Sequence, residues 1–206
     1  MLDIPLVLAS QSPRRRSLLT EAGFAFDVVP PDDGLEDDPH PNESPSDYVK
    51  RLALRKAENV LAKIDRGIVI ACDTVVVFNG EIFGKPADRV DAARMLRMLR
   101  GTQHRVFSGL CLCSKPGGNC SVEEAVSTLQ MIEFTDDELE LYLDSGTWQG
   151  KAGAFGLQDR NDWVVLVDGS ESNVVGLPME LLREMSINHA TTSVRSVRCV
   201  QKVVEG

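Results

Sequence analysis

Short apolar runs alternate along this chain with segments of helical period. Leu6–Ala9 reads as a short buried strand. Ser12 and Pro13 then read as a helix start, with the serine as N-cap, the proline in the first helical position and Gly23 as the stop. Phe24–Val29 is apolar enough for a second strand. Over Ser44–Ile64 the period turns helical: Tyr48, Leu52, Ala53 and Val60 keep one apolar face, while Lys50, Arg51, Arg55 and Lys56 lie elsewhere. Ile68–Ala71 and Val75–Phe78 are buried-strand material, and Asn79-Gly80 is a strong hairpin signal. A helix from Asp88 to Arg100 ends at Gly101, and two strands follow around Gly117-Gly118. Thr135 and Glu138 form a capping box that starts a helix to Asp144. A glycine-rich stretch, a strand and turn through "DWVVLVDGSESNVVGLP", and a last helix "MELLREM" complete the pattern. Strands alternating with helices, plus hairpins, predict an α/β fold with a mixed twisted sheet and helices on its faces. Residues 1–188 read as a single domain, and 189–206 as a tail with no clear period.

Charge narrows the functional classes. The chain of 206 residues has a net charge of −9, which excludes a general polyanion-binding surface and hence a nucleic-acid polymer as partner. No apolar run is long enough to span a bilayer, and no signal-peptide core follows the start, so a cytoplasmic protein is expected. Cys72, Cys111, Cys113, Cys120 and Cys199 are odd in number and scattered, which predicts free thiols rather than a disulfide framework. His40, His104 and His189 lack zinc-ligand spacing. The acidic, proline-rich segment "PPDDGLEDDPHPNESPSD" reads as a solvated connector, although one of its carboxylates could fold over a cleft.

Candidate chemistry begins with an anomaly. Arg14, Arg15 and Arg16 stand at a helix N-terminus, where the backbone already carries partial positive charge and favours an anion. Asp73 lies inside "VIACDTVVV", where an ionised carboxylate must meet a cation, a metal or hydrogen-bond donors. If Phe78 pairs with Glu81, Lys85 comes close to Asp73; strict alternation puts them on opposite faces, and Gly84 and Pro86 allow a bend between them. A lone lysine on a helix is usually solvated. Yet the arginines, Lys56 and Lys85 together with a helix N-terminus read as a phosphate cradle, and Asp73 adds an oxygen ligand suited to Mg²⁺ or Mn²⁺. The chain has neither a GxxxxGK[ST] loop nor a GxSxG elbow, and water attack assisted by a metal is the simpler chemistry.

The stretches "LASQSPRR", "RLALRKA", "ACDTVVV", "GKP", "GKAGAFGLQ" and "NVVGLP" occur in the order and spacing of a known family. The chain resembles the Maf nucleotide pyrophosphatases, whose fold is related to that of the inosine triphosphate pyrophosphatases and has a central cleft. The resemblance implies metal-dependent hydrolysis of a nucleoside triphosphate to its monophosphate and pyrophosphate. It implies that Asp73 is the proton acceptor and that Ser10, Arg15, Lys56 and Lys85 handle the triphosphate. Arg14, Thr74 and Gln158 match the subgroup that cleaves dTTP and UTP, whereas the subgroup acting on 7-methyl-GTP has Trp, Gln and Glu there. A Gln amide suits a pyrimidine edge, since it both donates and accepts. An acidic residue after the second strand is expected beside Asp73 as a metal ligand: Glu36 first, then Asp33. Phe155 stands where the family often has Tyr. A homodimer is implied by the resemblance. The alternatives are a nucleotide-binding regulator of cell division and a pyrophosphatase for another modified nucleotide.

Overall fold

The computed structural model describes residues 4–159 and 162–187; the expected tail, 189–206, lies outside them. Its strands are β1 (Leu6–Leu8), β2 (Phe26–Val28), β3 (Gly67–Phe78), β4 (Glu81–Phe83), β5 (Gln103–Lys115), β6 (Cys120–Met131) and β7 (Val164–Asp168). Its helices are α1 (Pro13–Glu21), α2 (Pro45–Lys63), α3 (Arg89–Leu99), α4 (Asp136–Asp144), α5 (Glu171–Val175) and α6 (179–187). The strands form one mixed sheet in the order β2-β1-β3-β5-β6-β7, with β4 paired to β3. The fold is the α/β class expected, with helices on both faces.

Strand alternation divides the core between the two faces. On one, Leu8, Ile70, Cys72, Leu110 and Leu112 pack with Leu19 of α1 and Leu182 of α6. On the other, Val7, Ala9, Val69, Ala71 and Cys111 pack with Ala53, Ala57 and Val60 of α2. A third cluster joins Val76 and Leu129 to α3, α4 and the stacked rings of Phe134 and Trp163. The α2 contact is unusually close. A Cβ on Gly109 of β5 would lie 2.3 Å from the Val49 carbonyl oxygen, so only glycine admits the α2 backbone at this height of the sheet.

Pairing along β3 creates the site. On one edge β5 runs beside it from Gly67 to Val77. On the other, β1 pairs in parallel as far as Ile70, and antiparallel β4 begins only at Val76. The intervening backbone, residues 71–75, has no strand neighbour on that side. Asp73 and Thr74 sit in this gap and, as successive strand residues, point to opposite faces.

Local signals explain most boundaries. Ser12, Ser44, Asp88 and Thr135 each cap a helix through their side chains. Three features differ from expectation. The apolar runs before and after Asp73 form one continuous strand, because Asp73 finds a partner there. The segment "ESNVV" is a helix, α5, capped by Ser170 and stopped by left-handed Gly176. Cys113 and Cys120 are joined as a disulfide, whereas Cys72 and Cys111 are free and buried. Sequence spacing hides this pairing, which follows from hairpin register. The Ser114 amide donates to the Asn119 carbonyl, so the adjacent Cys113–Cys120 pair is of the non-hydrogen-bonded kind, whose side chains lie close.

Candidate active site

A cleft of about 560 Å³ opens at the gap in the β3 edge. It is lined by the 9–15 turn into α1, by 31–36 of the acidic strap between β2 and α2, by Lys56, Thr74 and Lys85, and by the segments 149–152, 155–159 and 174–176. Every expected site residue except Asp73 lines it.

On the α2 face, the close approach allowed by Gly109 brings Lys56 over Asp73. Both are buried, at 5% and 6% exposure. The Lys56 ammonium donates to Asp73 Oδ1 at 2.5 Å and to Glu36 Oε1 at 2.6 Å. Lys85 Nζ reaches both Glu36 oxygens, at 3.0 and 3.1 Å. Asp73 therefore lies one layer below the cleft wall, and Lys85 meets it only through Glu36 and Lys56. The β3–β4 ladder stops at Phe83, which frees Lys85 from strand alternation. Burial by itself would raise the Glu36 pKa, but the charges and hydrogen bonds of Lys56 and Lys85 outweigh it and hold the carboxyl at about 2. Glu36 is thus ionised at neutral pH, and of the acidic strap residues it is the one joined to Lys56. Asp33 also lines the cleft.

On the α1 face, Arg15 is held on three sides. Its Nε donates to the Gly176 carbonyl at 2.7 Å, Nη1 to Ser10 Oγ at 3.3 Å and Nη2 to Thr74 Oγ1 at 3.3 Å. The Thr74 hydroxyl also bonds Ser108 Oγ at 2.8 Å. Its hydroxyl is therefore engaged in fixing Arg15. Arg14 reaches across the cleft instead, donating from Nη2 to the Gly150 carbonyl at 2.9 Å. Burial, and next the neighbouring Arg15 charge, lower its pKa. Arg16 is exposed and outside the cleft lining. Gln158 is exposed at the cleft, in the second of two short 3-10 turns, Ala152–Ala154 and Leu157–Asp159. The three arginines thus have three separate settings. Backbone carbonyls answer the charge of two of them at the helix N-terminus.

Several supporting groups escaped the sequence reading. Gly176, which ends α5, supplies the carbonyl that anchors Arg15; Ser170 three residues before Asn173, with glycine after, was the available signal. Asp159 accepts from Lys151 and, at 2.5 Å, from the Tyr142 hydroxyl, fastening the glycine-rich segment to α4. His104 stands edge-on to the cleft residue Phe155, with ring centroids 5.2 Å apart. The strap is a largely exposed loop, as expected, and one of its carboxylates, Glu36, lines the cleft; its hydrogen bonds to α2 hold it there, because side-chain pairing replaces the apolar burial its composition lacks.

Asp73 and Glu36 share one ammonium, so two carboxylates converge beside a cleft with cationic walls. That donor set fits a hard divalent cation, which takes one or two carboxylates and completes its shell with water and phosphate oxygens. A helix N-terminus, fixed arginines and a buried lysine–carboxylate centre have the chemistry that suits a phosphorylated small molecule, with acid–base groups at hand. Residues 5–188 match the Maf-like protein family, and the chain belongs to it. A relative in Rhodopirellula baltica, 50% identical over 89% of this chain and 81% of its own length, is named dTTP/UTP pyrophosphatase. So are relatives in Bdellovibrio bacteriovorus, 40% identical over 87% and 96%, and Koribacter versatilis, 41% identical over 89% and 94%. A solved dITP/XTP pyrophosphatase from Mycobacterium abscessus aligns over 94% of this chain and 98% of its own at 13% identity and a TM-score of 0.39, too distant a likeness to bear on function.

Proposed function

We propose that this enzyme is a metal-dependent pyrophosphatase that hydrolyses dTTP and UTP to the monophosphate and pyrophosphate. The observation that carries the reading is the Lys56 ammonium, which lines a cleft with Glu36, Arg14, Thr74 and Gln158 and joins Glu36 to Asp73 directly beneath, in a chain whose relatives bear that name. The α1 N-terminus and Ser10 receive phosphate oxygens, with Arg15 and Lys85 balancing their charge. Asp73 accepts a proton from the attacking water, and the hydrogen bond from Lys56 holds its carboxylate in place. Asp73 and Glu36 would hold a Mg²⁺ or Mn²⁺ ion, which would supply Lewis acidity when bound. Charge developing on the departing pyrophosphate is met by Lys85 and Arg15. Gln158 offers a donor and an acceptor to the pyrimidine edge, and Arg14 closes the cleft beside it. Modified pyrimidine nucleotides fit the same description, as a house-cleaning role. The working unit is residues 1–188, as a cytoplasmic homodimer. No helix among the described residues is long and apolar enough to cross a membrane.

A panel of nucleoside triphosphates with Mg²⁺ or Mn²⁺, read by pyrophosphate release, tests the reading. dTTP and UTP are expected to exceed GTP, ATP and CTP. Equal rates on GTP, or no turnover of dTTP or UTP, would remove it.

A further inference from the structure

Helix α2 carries a polar stripe as well as its apolar one. Tyr48, Arg51, Arg55, Asn59 and Lys63 recur at intervals of three and four residues, which places them along one side of the helix. Each is bonded to the strap 30–43. Arg51 grips Glu43 through Nε at 2.7 Å and Nη2 at 2.8 Å, and its Nη1 reaches Asp37 Oδ1 at 2.6 Å. Arg55 takes the other Asp37 oxygen at 2.6 Å, and the Tyr48 hydroxyl donates to the Asp37 carbonyl at 2.9 Å. At the other end, Asn59 exchanges two hydrogen bonds with Asp32, at 2.8 and 3.0 Å, and Lys63 bonds Asp32 Oδ1 at 2.7 Å and the Pro30 carbonyl at 3.1 Å. Glu36 lies between these two grips and precedes Asp37 directly.

We propose that this stripe is a clamp that positions Glu36, with Arg51 as its principal positioning residue. The strap is too acidic and proline-rich to order itself, and its carboxylates find matching cations at helical spacing on α2. Arg51 suits the task because a guanidinium forms paired bonds to a carboxylate with fixed geometry, where an ammonium is a point charge. The side chain is 20% exposed and that of Glu43 10%, so solvent screens this grip less than an ordinary surface ion pair. Hydrogen bonding to Arg51 is the main reason the Glu43 carboxyl is held at about 2, so this grip stays charged through neutral pH. Arg51 bonds Glu43, Asp37 and Asp38, none of which lines the cleft; its effect on the reaction passes through Glu36 and the two lysines that Glu36 joins.

The inference rests on the pyrophosphatase reading for its activity readout, so the test has two arms. In the full chain, Arg51→Gln should lower kcat/KM for dTTP by about 10- to 100-fold, the usual cost of losing a group that orients a ligand residue. Arg51→Lys should recover only part. In a Glu36→Gln background, Arg51→Gln should lower activity no further. Effects that multiply would overturn the proposal, since Arg51 would then act other than through Glu36. In the second arm, hydrogen exchange of the full-length chain should show strap amides about tenfold or more faster in Arg51→Gln, with β3 unchanged. A strap equally protected in that variant would overturn the clamp. A wild-type chain that turns over neither dTTP nor UTP would strike the functional reading alone and leave the exchange arm standing.

Discussion

Replacing Lys56 with methionine isolates the pairing at the centre of the site. Methionine keeps the stem that packs in α2 and removes the ammonium. Asp73, 6% exposed, then keeps its charge without a partner. Breaking a buried pair by deleting one member costs about 3–5 kcal/mol, because the remaining charge stays desolvated. At about 2–4 °C per kcal/mol for a domain of this size, the melting temperature should fall by roughly 6–20 °C. Adding Asp73→Asn should restore most of the loss, since the neutral amide leaves no buried charge behind. Urea denaturation and calorimetry of the two single variants and the double variant, with chelator present, would measure this cycle. A Lys56→Met protein melting within about 2 °C of wild type, or a double variant no more stable than the single, would show that no charge is stranded at Asp73.

Other perturbations reach different parts of the structure. Gly109→Ala puts a Cβ 2.3 Å from the Val49 carbonyl oxygen, so α2 must move; a loss of about 1–3 kcal/mol in urea and a marked fall in pyrophosphate release are expected together. His104 is 2% exposed, and burial pushes its pKa down to about 4 from 6.5. The unfolded chain therefore binds a proton that the folded one refuses, and stability should fall by up to about 3 kcal/mol as pH drops from about 6.5 to about 4. His104→Phe should flatten that limb in pH-dependent denaturation. Arg14→Trp combined with Gln158→Glu should shift pyrophosphate release from dTTP towards 7-methyl-GTP; an unchanged ratio would show that these positions do not set the base.

Much of this molecule is written locally. Helix starts follow from Ser12, Ser44, Asp88 and Thr135, each a hydroxyl or carboxylate ahead of a helical period, and the first hairpin follows from Asn79-Gly80. Asp73 was conspicuous because a charge inside an apolar run demands a partner. The identity of that partner was less legible, because it depends on how closely α2 approaches β5, which Gly109 decides through space. Thr74 and Asp73 read as neighbours in one motif, yet alternation sends them to opposite faces, one to Arg15 and the other to Lys56. The strap reads as a connector from its composition alone; the basic stripe that holds it in place lies in the next element. The Cys113–Cys120 pair was hidden for a related reason, since register across a hairpin is not a sequence spacing.

The most direct test of the account compares pyrophosphate release from dTTP and UTP by wild type and by Asp73→Asn, both shown folded by calorimetry, with Mn²⁺ or Mg²⁺ present. The account expects wild-type turnover of both nucleotides and a loss of about 100-fold or more in the variant, the scale of losing a positioned proton acceptor. A folded Asp73→Asn enzyme that keeps wild-type turnover would contradict it.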